Sequence, residues 1–164
     1  MLEFLIPIIS FLGLPVGLFI SHKAKEELEP GKIYFKALRI VVLLVLIITF
    51  IILSLKNPLA LIISVVIGFL IALLFKKIYF YLGLALTVSF LLAKDFIVLI
   101  SSLVFIYGLA YSTVIYKTYK KQLLPLSLLF FIPFILLFAK PFLVNYIEYY
   151  LGFLAGSLIF FITK

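Results

Sequence analysis

Seven long apolar runs follow one another along the chain, separated by short polar breaks. A helix needs about 20 apolar residues to cross a bilayer, and about 17 is the lower limit. The runs approach or exceed that length, so the pattern predicts an all-α, polytopic membrane helix bundle that forms a single transmembrane domain. The predicted spans are 2–20, 37–55, 59–75, 78–93, 96–116, 123–139 and 142–163.

The third and fourth runs are the shortest. Flanking lysines can reach the headgroups from a short span, or the bilayer can thin around it. Six spans with one re-entrant segment therefore remain an alternative to seven. The connection 21–36 is the longest polar stretch, and Pro30-Gly31 within it predicts a turn.

The distribution of basic residues predicts the orientation. Lysine and arginine are retained in short cytoplasmic loops. With seven spans and the N-terminus outside, only Lys56, Lys94 and Lys140 fall in outer turns, and the other eleven of the fourteen basic residues lie inside. The chain starts with MLEF and lacks a basic region before its first apolar run, which predicts a retained first span. The interpretation is a cell-membrane protein with its N-terminus outside and its C-terminus cytoplasmic.

Tyrosines also mark the proposed inner boundary. Aromatic rings with a polar tip favour the membrane–water interface. Several tyrosines lie near predicted cytoplasmic ends of spans, and they predict an interfacial belt: Tyr34, Tyr79, Tyr81, Tyr116 and Tyr119.

Composition agrees with a lipid environment and removes several function classes. The chain is 67% hydrophobic and 12% charged, whereas soluble domains are about a quarter charged. It has no cysteine and one histidine, so thiolate chemistry and multi-histidine metal sites are excluded. The net charge of +8 is explained by loop lysines, so we expect no nucleic-acid partner. We expect no cofactor, because the chain has no soluble domain and no glycine-rich phosphate loop that could hold a nucleotide, and no bound metal.

Small residues predict how the helices pack. In lipid, close approach at glycine, alanine and serine drives helix association. Spans one and seven each contain a GxxxG pair, Gly13/Gly17 and Gly152/Gly156, and span three repeats small residues through Ser64 and Gly68. We expect spans one and seven to pack together in parallel. The alternatives are that each glycine pair serves a different neighbour, or a homodimer.

A carboxylate lies within the last predicted span. At helical spacing, Asn145, Glu148 and Tyr149 share the face of the two glycines, with the leucine face pointing away. If spans one and seven meet, Ser10 lies level with Glu148 and can hydrogen-bond it. An ionisable group inside a membrane is a functional hypothesis by default. An interfacial glutamate reached by water and a neutral acid used in packing remain alternative interpretations.

Two other features carry candidate chemistry. Span five presents Ser101, Gly108 and Ser112 on one face with Tyr107 and Tyr111 beside it, which suits a pathway lining or ordinary helix packing. The 21–36 loop holds three glutamates that are candidates for a docking contact or for Mg²⁺ in lipid-phosphate chemistry. They are Glu26, Glu27 and Glu29. The alternative is a solvated connector whose lysines touch anionic lipid.

These features lead to one functional expectation with two alternatives. We expect passage of a small ion or small solute, centred on Glu148, Asn145 and Ser10. The second interpretation is an accessory or scaffold subunit of a larger membrane complex, and the third is a lipid-modifying enzyme. Enzymes that use paired or clustered aspartates are disfavoured because Asp95 is the only aspartate. The expected partners are the bilayer and either a second copy of the chain or a larger membrane protein.

Overall fold

A computed structural model describes residues 5–24, 26, 28–92 and 94–163, with the side chains of Lys94, Lys120 and Phe142 outside that description. The prediction of an all-helical protein is confirmed for these residues, which contain no strand. The elements are α1 (Leu5–Lys23), α2 (Leu28–Ser54), α3 (Pro58–Leu74), α4 (Ile78–Ser89), α5 (Lys94–Ile115), α6 (Tyr119–Phe131), a 3-10 segment (Ile132–Ala139), α7 (Lys140–Asn145) and α8 (Ile147–Ile162).

Four apolar helical segments are long enough to cross a membrane. They are Leu5–Lys23, Leu28–Ser54, Asp95–Ile115 and Lys121–Ala139. Three further apolar helices, α3, α4 and α8, have 17, 12 and 16 residues. The chain is thus an apolar helical bundle with the character of a membrane protein.

The second helix starts earlier than the sequence predicts. α2 begins at Leu28 and runs for 27 residues, so the expected turn at Pro30-Gly31 is wrong. Proline is tolerated there because the first turn of a helix has no intrahelical acceptor for its amide. At about 1.5 Å per residue, α2 is about 40 Å long, which exceeds the hydrocarbon thickness.

The last predicted span is interrupted. α7 ends at Asn145, Tyr146 leaves the helical conformation, and α8 begins at Ile147. Asparagine is a weak helix former, which suits it to a helix end. Asn145 and Glu148 therefore belong to different helices, and the continuous stripe predicted through both is wrong.

Glycines bring the helices together in two parallel pairs, but the predicted pairing of spans one and seven is wrong. A Cβ added to Gly13 or Gly17 would overlap the backbone of α5, at Phe105 and Leu109 respectively. A Cβ at Gly156 would overlap the backbone of α3 at Val65. Each GxxxG thus serves a different neighbour, because small residues permit close approach without selecting the partner.

α4 occupies the interior of the bundle. Eleven of its twelve residues are buried, and it contacts α5, α6, α8 and the 3-10 segment. The leucine face of α8 is also buried, since Leu151, Leu154 and Leu158 are at most 1% exposed. The last helix thus packs on both its glycine face and its leucine face.

Candidate functional site

The first turn of α4 lies deeper in the bundle than the nearby ends of α2 and α5. Tyr79 in that turn contacts Tyr107 and Tyr111 of α5, which continues for four residues, or about 6 Å, to Ile115. α2 starts eleven residues, or about 16 Å, before Arg39, which contacts Tyr111. A short interior helix between longer ones leaves room for polar groups at this end of the bundle.

Three tyrosines from two helices form a cluster at this level. The ring centroids of Tyr79 and Tyr111 are 5.4 Å apart, and Tyr107 stacks on Tyr111 at 5.8 Å. Tyr79 is 1% exposed, and its hydroxyl has no hydrogen-bond partner among the described residues. A buried hydroxyl without a partner costs about 1–3 kcal/mol, so the tyrosine cluster contains an unsatisfied polar group.

Arg39 borders the tyrosine cluster from α2. Its guanidinium carbon lies 5.7 Å from the centroid of the Tyr111 ring, which is a cation–π arrangement. Its Nε is buried without a hydrogen-bond partner. Among the described residues, no carboxylate forms an ion pair with Arg39. The cation is therefore held against an aromatic ring with no protein counter-ion.

Two openings meet this region. The α2–α5 cleft has a volume of about 400 Å³ and is lined mainly by polar side chains, including Glu29, Lys32, Lys36, Arg39, Thr113, Tyr116 and Lys117. The α4–α6 recess has a volume of about 240 Å³, and its lining includes Lys76, Lys77, Tyr111 and Gln122. Tyr111 connects the two openings, because it lines the α4–α6 recess and its ring contacts Arg39, which lines the α2–α5 cleft. Cations outnumber carboxylates in both linings.

The residues predicted around the carboxylate lie elsewhere. Glu148 is in the first turn of α8, partly exposed, and makes no hydrogen bond or ion pair with another described residue. A carboxylate is favourable at a helix N-terminus because of the helix dipole. Asn145 is exposed at the end of α7, and Tyr149 is 46% exposed.

Ser10 does not join this group. Its hydroxyl donates to the Ile6 carbonyl at 2.7 Å, and its side chain faces a groove between α1 and α5 that includes Ser101 and Phe105. The expected hydrogen bond from Ser10 to Glu148 is therefore wrong. The two residues are not brought together, because α1 packs against α5 and not against α8.

The glutamates of the predicted loop are separated. Glu26 is exposed, Glu29 lines the α2–α5 cleft, and Glu27 lies outside the described residues. No group of three or more histidine, aspartate or glutamate side chains suited to a metal ion occurs in the part of the chain that the structure describes.

Sequence reasoning missed Arg39 and misplaced Tyr79. Tyr79 and Tyr81 were expected in an interfacial belt, but they are 1% and 0% exposed and lie in the interior. For Arg39 a signal was available, because it precedes Val42, Leu43 and Leu46 at helical spacing, and those residues are buried. The spacing therefore placed Arg39 on the inward face of α2.

Comparison of the chain with protein-family models, curated proteins and solved structures finds no match.

Proposed function

We propose that the protein passes a small polar solute or ion across a membrane, and that this solute enters at the tyrosine cluster. The observation that supports this proposal is the Tyr79 hydroxyl, which is buried without a partner among the described residues. The Tyr79 ring contacts Tyr111, which lines the α4–α6 recess and contacts Arg39 of the α2–α5 cleft. A bound solute or its water supplies the missing hydrogen bond. The tyrosine cluster replaces Glu148 as the centre of the proposed route.

The shape of the bundle favours the same proposal. Many membrane transporters place their sites where helices are short or interrupted near the bundle centre. α4 has 12 residues, about 18 Å, and so covers little more than half of the hydrocarbon core. The 3-10 segment against it has eight residues, and 3-10 runs longer than about four are uncommon and often mark a hinge.

The orientation remains part of the proposal. Seven crossings with the N-terminus outside place Lys32, Lys36, Lys76, Lys77 and Lys117 on the cytoplasmic side. The tyrosine cluster then opens toward the cytoplasm, and Glu148 lies toward the outer surface. Cysteine labelling from either side of the membrane, at Lys56→Cys and Lys117→Cys in this cysteine-free chain, tests that arrangement.

A flux assay with two matched tyrosine variants tests the function. Purified protein in lipid vesicles is assayed for passage of monovalent cations, protons, halides and small uncharged solutes, with protein-free vesicles as the baseline. Tyr79→Phe removes the unpartnered hydroxyl and is expected to reduce the flux about tenfold, which corresponds to one lost hydrogen bond of about 1.4 kcal/mol. Tyr81→Phe removes a hydroxyl that already donates to the Phe75 carbonyl at 3.1 Å, and it is expected to leave the flux per folded molecule unchanged.

Two results would count against the proposal. A flux equal to protein-free vesicles for every solute contradicts transport, and an equal flux for Tyr79→Phe and the parent protein contradicts the route through the tyrosine cluster. The accessory-subunit interpretation is tested separately by the mass of the intact particle from the native membrane. A stoichiometric second protein that stays bound through purification supports that interpretation, and a particle containing only this chain contradicts it.

A further inference from the structure

The α2–α5 cleft has a strongly unbalanced charge. Its lining includes four cations, Lys32, Lys36, Arg39 and Lys117, and one carboxylate, Glu29. The lysines lie on exposed parts of the lining, whereas Arg39 is half-buried at its inner end. Exposure of the cations therefore decreases toward the tyrosine cluster, and Arg39 is the least exposed of the four.

Arg39 is prepared to hold an anion. The Tyr111 ring covers the guanidinium on one side, and the edge of the group carries its five N–H donors. No ion pair to a carboxylate is present among the described residues, and Nε has no hydrogen-bond partner. Ionisable groups in membrane-spanning helices are costly and pair with an opposite charge, so an anion from outside the chain is the missing counter-ion.

The geometry of arginine favours one kind of anion. A guanidinium forms two parallel hydrogen bonds to phosphate or carboxylate oxygens, whereas lysine acts as a point charge. Three lysines around one arginine match the several oxygens and multiple charge of a phosphate group better than a single carboxylate. The volume of about 400 Å³ exceeds that of a phosphate alone, so the cleft has room for a ligand with a further group. Leu28 and Val114 provide apolar surface for it.

We infer that the α2–α5 cleft binds the phosphate group of an anionic ligand, with Arg39 as the deepest contact and Lys36 and Lys117 at the entrance. The phosphate belongs either to a lipid headgroup or to a soluble phosphorylated molecule. This inference concerns binding alone, so it holds or fails independently of the proposed transport.

Two probes and one matched control test the inference in the full-length protein in detergent. The probes are inorganic pyrophosphate and dioctanoyl phosphatidic acid, and the control is dioctanoylglycerol, which has the same chains without the phosphate. The readouts are the midpoint of thermal unfolding and the bound mass by native mass spectrometry. A ligand that binds only the folded state raises the midpoint in a saturable manner.

Variants locate the site. Arg39→Gln is expected to weaken binding about tenfold or more, because a charge-assisted hydrogen bond to phosphate is lost. Arg39→Lys is expected to bind more tightly than Arg39→Gln but less tightly than the parent protein, since lysine keeps the charge and cannot form the two parallel hydrogen bonds of the guanidinium. Lys56→Gln removes the same charge from the α2–α3 turn and is expected to change the affinity less than about twofold. If Arg39→Gln fails to fold, Lys32→Gln with Lys36→Gln tests the entrance through exposed side chains.

Each outcome decides the question. Binding of phosphatidic acid alone supports a lipid headgroup, and binding of pyrophosphate, alone or together with phosphatidic acid, supports a soluble ligand. Binding of neither phosphate probe, equal binding of dioctanoylglycerol, or an equal loss in Lys56→Gln and the cleft variants overturns the inference.

Discussion

The α3–α8 interface and the tyrosine cluster differ in whether their buried polar groups have hydrogen-bond partners. At the interface, the Ser64 hydroxyl donates to the Ala60 carbonyl at 2.7 Å, and the Ser157 hydroxyl lies within hydrogen-bond distance of two carbonyls, those of Phe153 and Gly68. In the tyrosine cluster, Tyr79 and the adjoining Arg39 contain buried polar atoms without partners.

This difference separates a packing role from a binding role. Small residues and satisfied hydroxyls let two backbones approach closely, and no further group is needed there. A buried donor without an acceptor reduces stability, so its presence is explained if a bound ligand supplies the missing hydrogen-bond partner. Glu148 fits neither pattern, because it is partly exposed at a helix N-terminus.

The largest expected effect comes from adding one methyl group at the α3–α8 interface. A Cβ at Gly156 overlaps the Val65 backbone, and a Cβ at Gly152 overlaps the Ser64 hydroxyl. We expect Gly156→Ala and Gly152→Ala to lower the free energy of unfolding by about 2–3 kcal/mol each, since overpacking typically costs about 1–3 kcal/mol. Unfolding in a graded denaturing detergent measures this.

A second substitution distinguishes the two clashes. Ser64→Ala removes the obstructing oxygen and should recover much of the loss in Gly152→Ala but none in Gly156→Ala, where the obstacle is backbone. Gly31→Ala is the control, because its Cβ meets only the end of the Phe35 ring at 3.0 Å, and alanine favours the helix. Equal losses at all three glycines would show that the α3–α8 interface is not specifically tight.

The next effect compares two buried tyrosines on one helix. Tyr81→Phe breaks the hydrogen bond to the Phe75 carbonyl and is expected to cost about 1 kcal/mol. Tyr79→Phe removes an unsatisfied hydroxyl and is expected to leave stability unchanged or raise it by up to about 1 kcal/mol. The same unfolding assay in ligand-free detergent measures both, and a larger loss in Tyr79→Phe than in Tyr81→Phe would contradict the unsatisfied hydroxyl.

A smaller effect is expected from the interhelical serine. The Ser157 hydroxyl lies 3.1 Å from the Gly68 carbonyl across the α3–α8 interface and 2.8 Å from the Phe153 carbonyl in its own helix, so the two carbonyls share its single proton. Interhelical hydrogen bonds in membrane proteins average about 0.6 kcal/mol, so Ser157→Ala should lower stability by about that amount. Ser127→Ala is the control, since its hydroxyl donates only within α6. A loss in Ser157→Ala no greater than in the control would remove this bond from the account of packing.

The smallest effect is expected at Glu148. Glu148→Gln should change stability by no more than about 0.5 kcal/mol, because only a favourable helix-dipole contact is reduced. Flux in vesicles should also persist, because the proposed route centres on the tyrosine cluster. Loss of flux with stability intact would return the functional site to the carboxylate.

Local pattern was sufficient for some features and insufficient for others. The apolar runs predicted the helices, and small residues at Gly13, Gly68 and Gly156 lie at close contacts. The break at Tyr146 has no proline or glycine to announce it, and Asn145 alone is a weak signal. Arg39 lies within the predicted span 37–55, but its contact with Tyr111 could not be predicted, because that contact depends on how α2 packs against α5.

The sequence by itself determined that this is an apolar helical chain suited to a lipid environment, because the transfer of each segment into lipid depends mainly on that segment's own residues. Only the tertiary structure decided that α1 pairs with α5 and α3 with α8, and that α4 is enclosed. Those outcomes depend on the complementarity of surfaces far apart in the chain, where leucine and lipid are equally apolar and only close fit distinguishes the partners. The position of Tyr79 and the unpaired state of Arg39 follow from that fit.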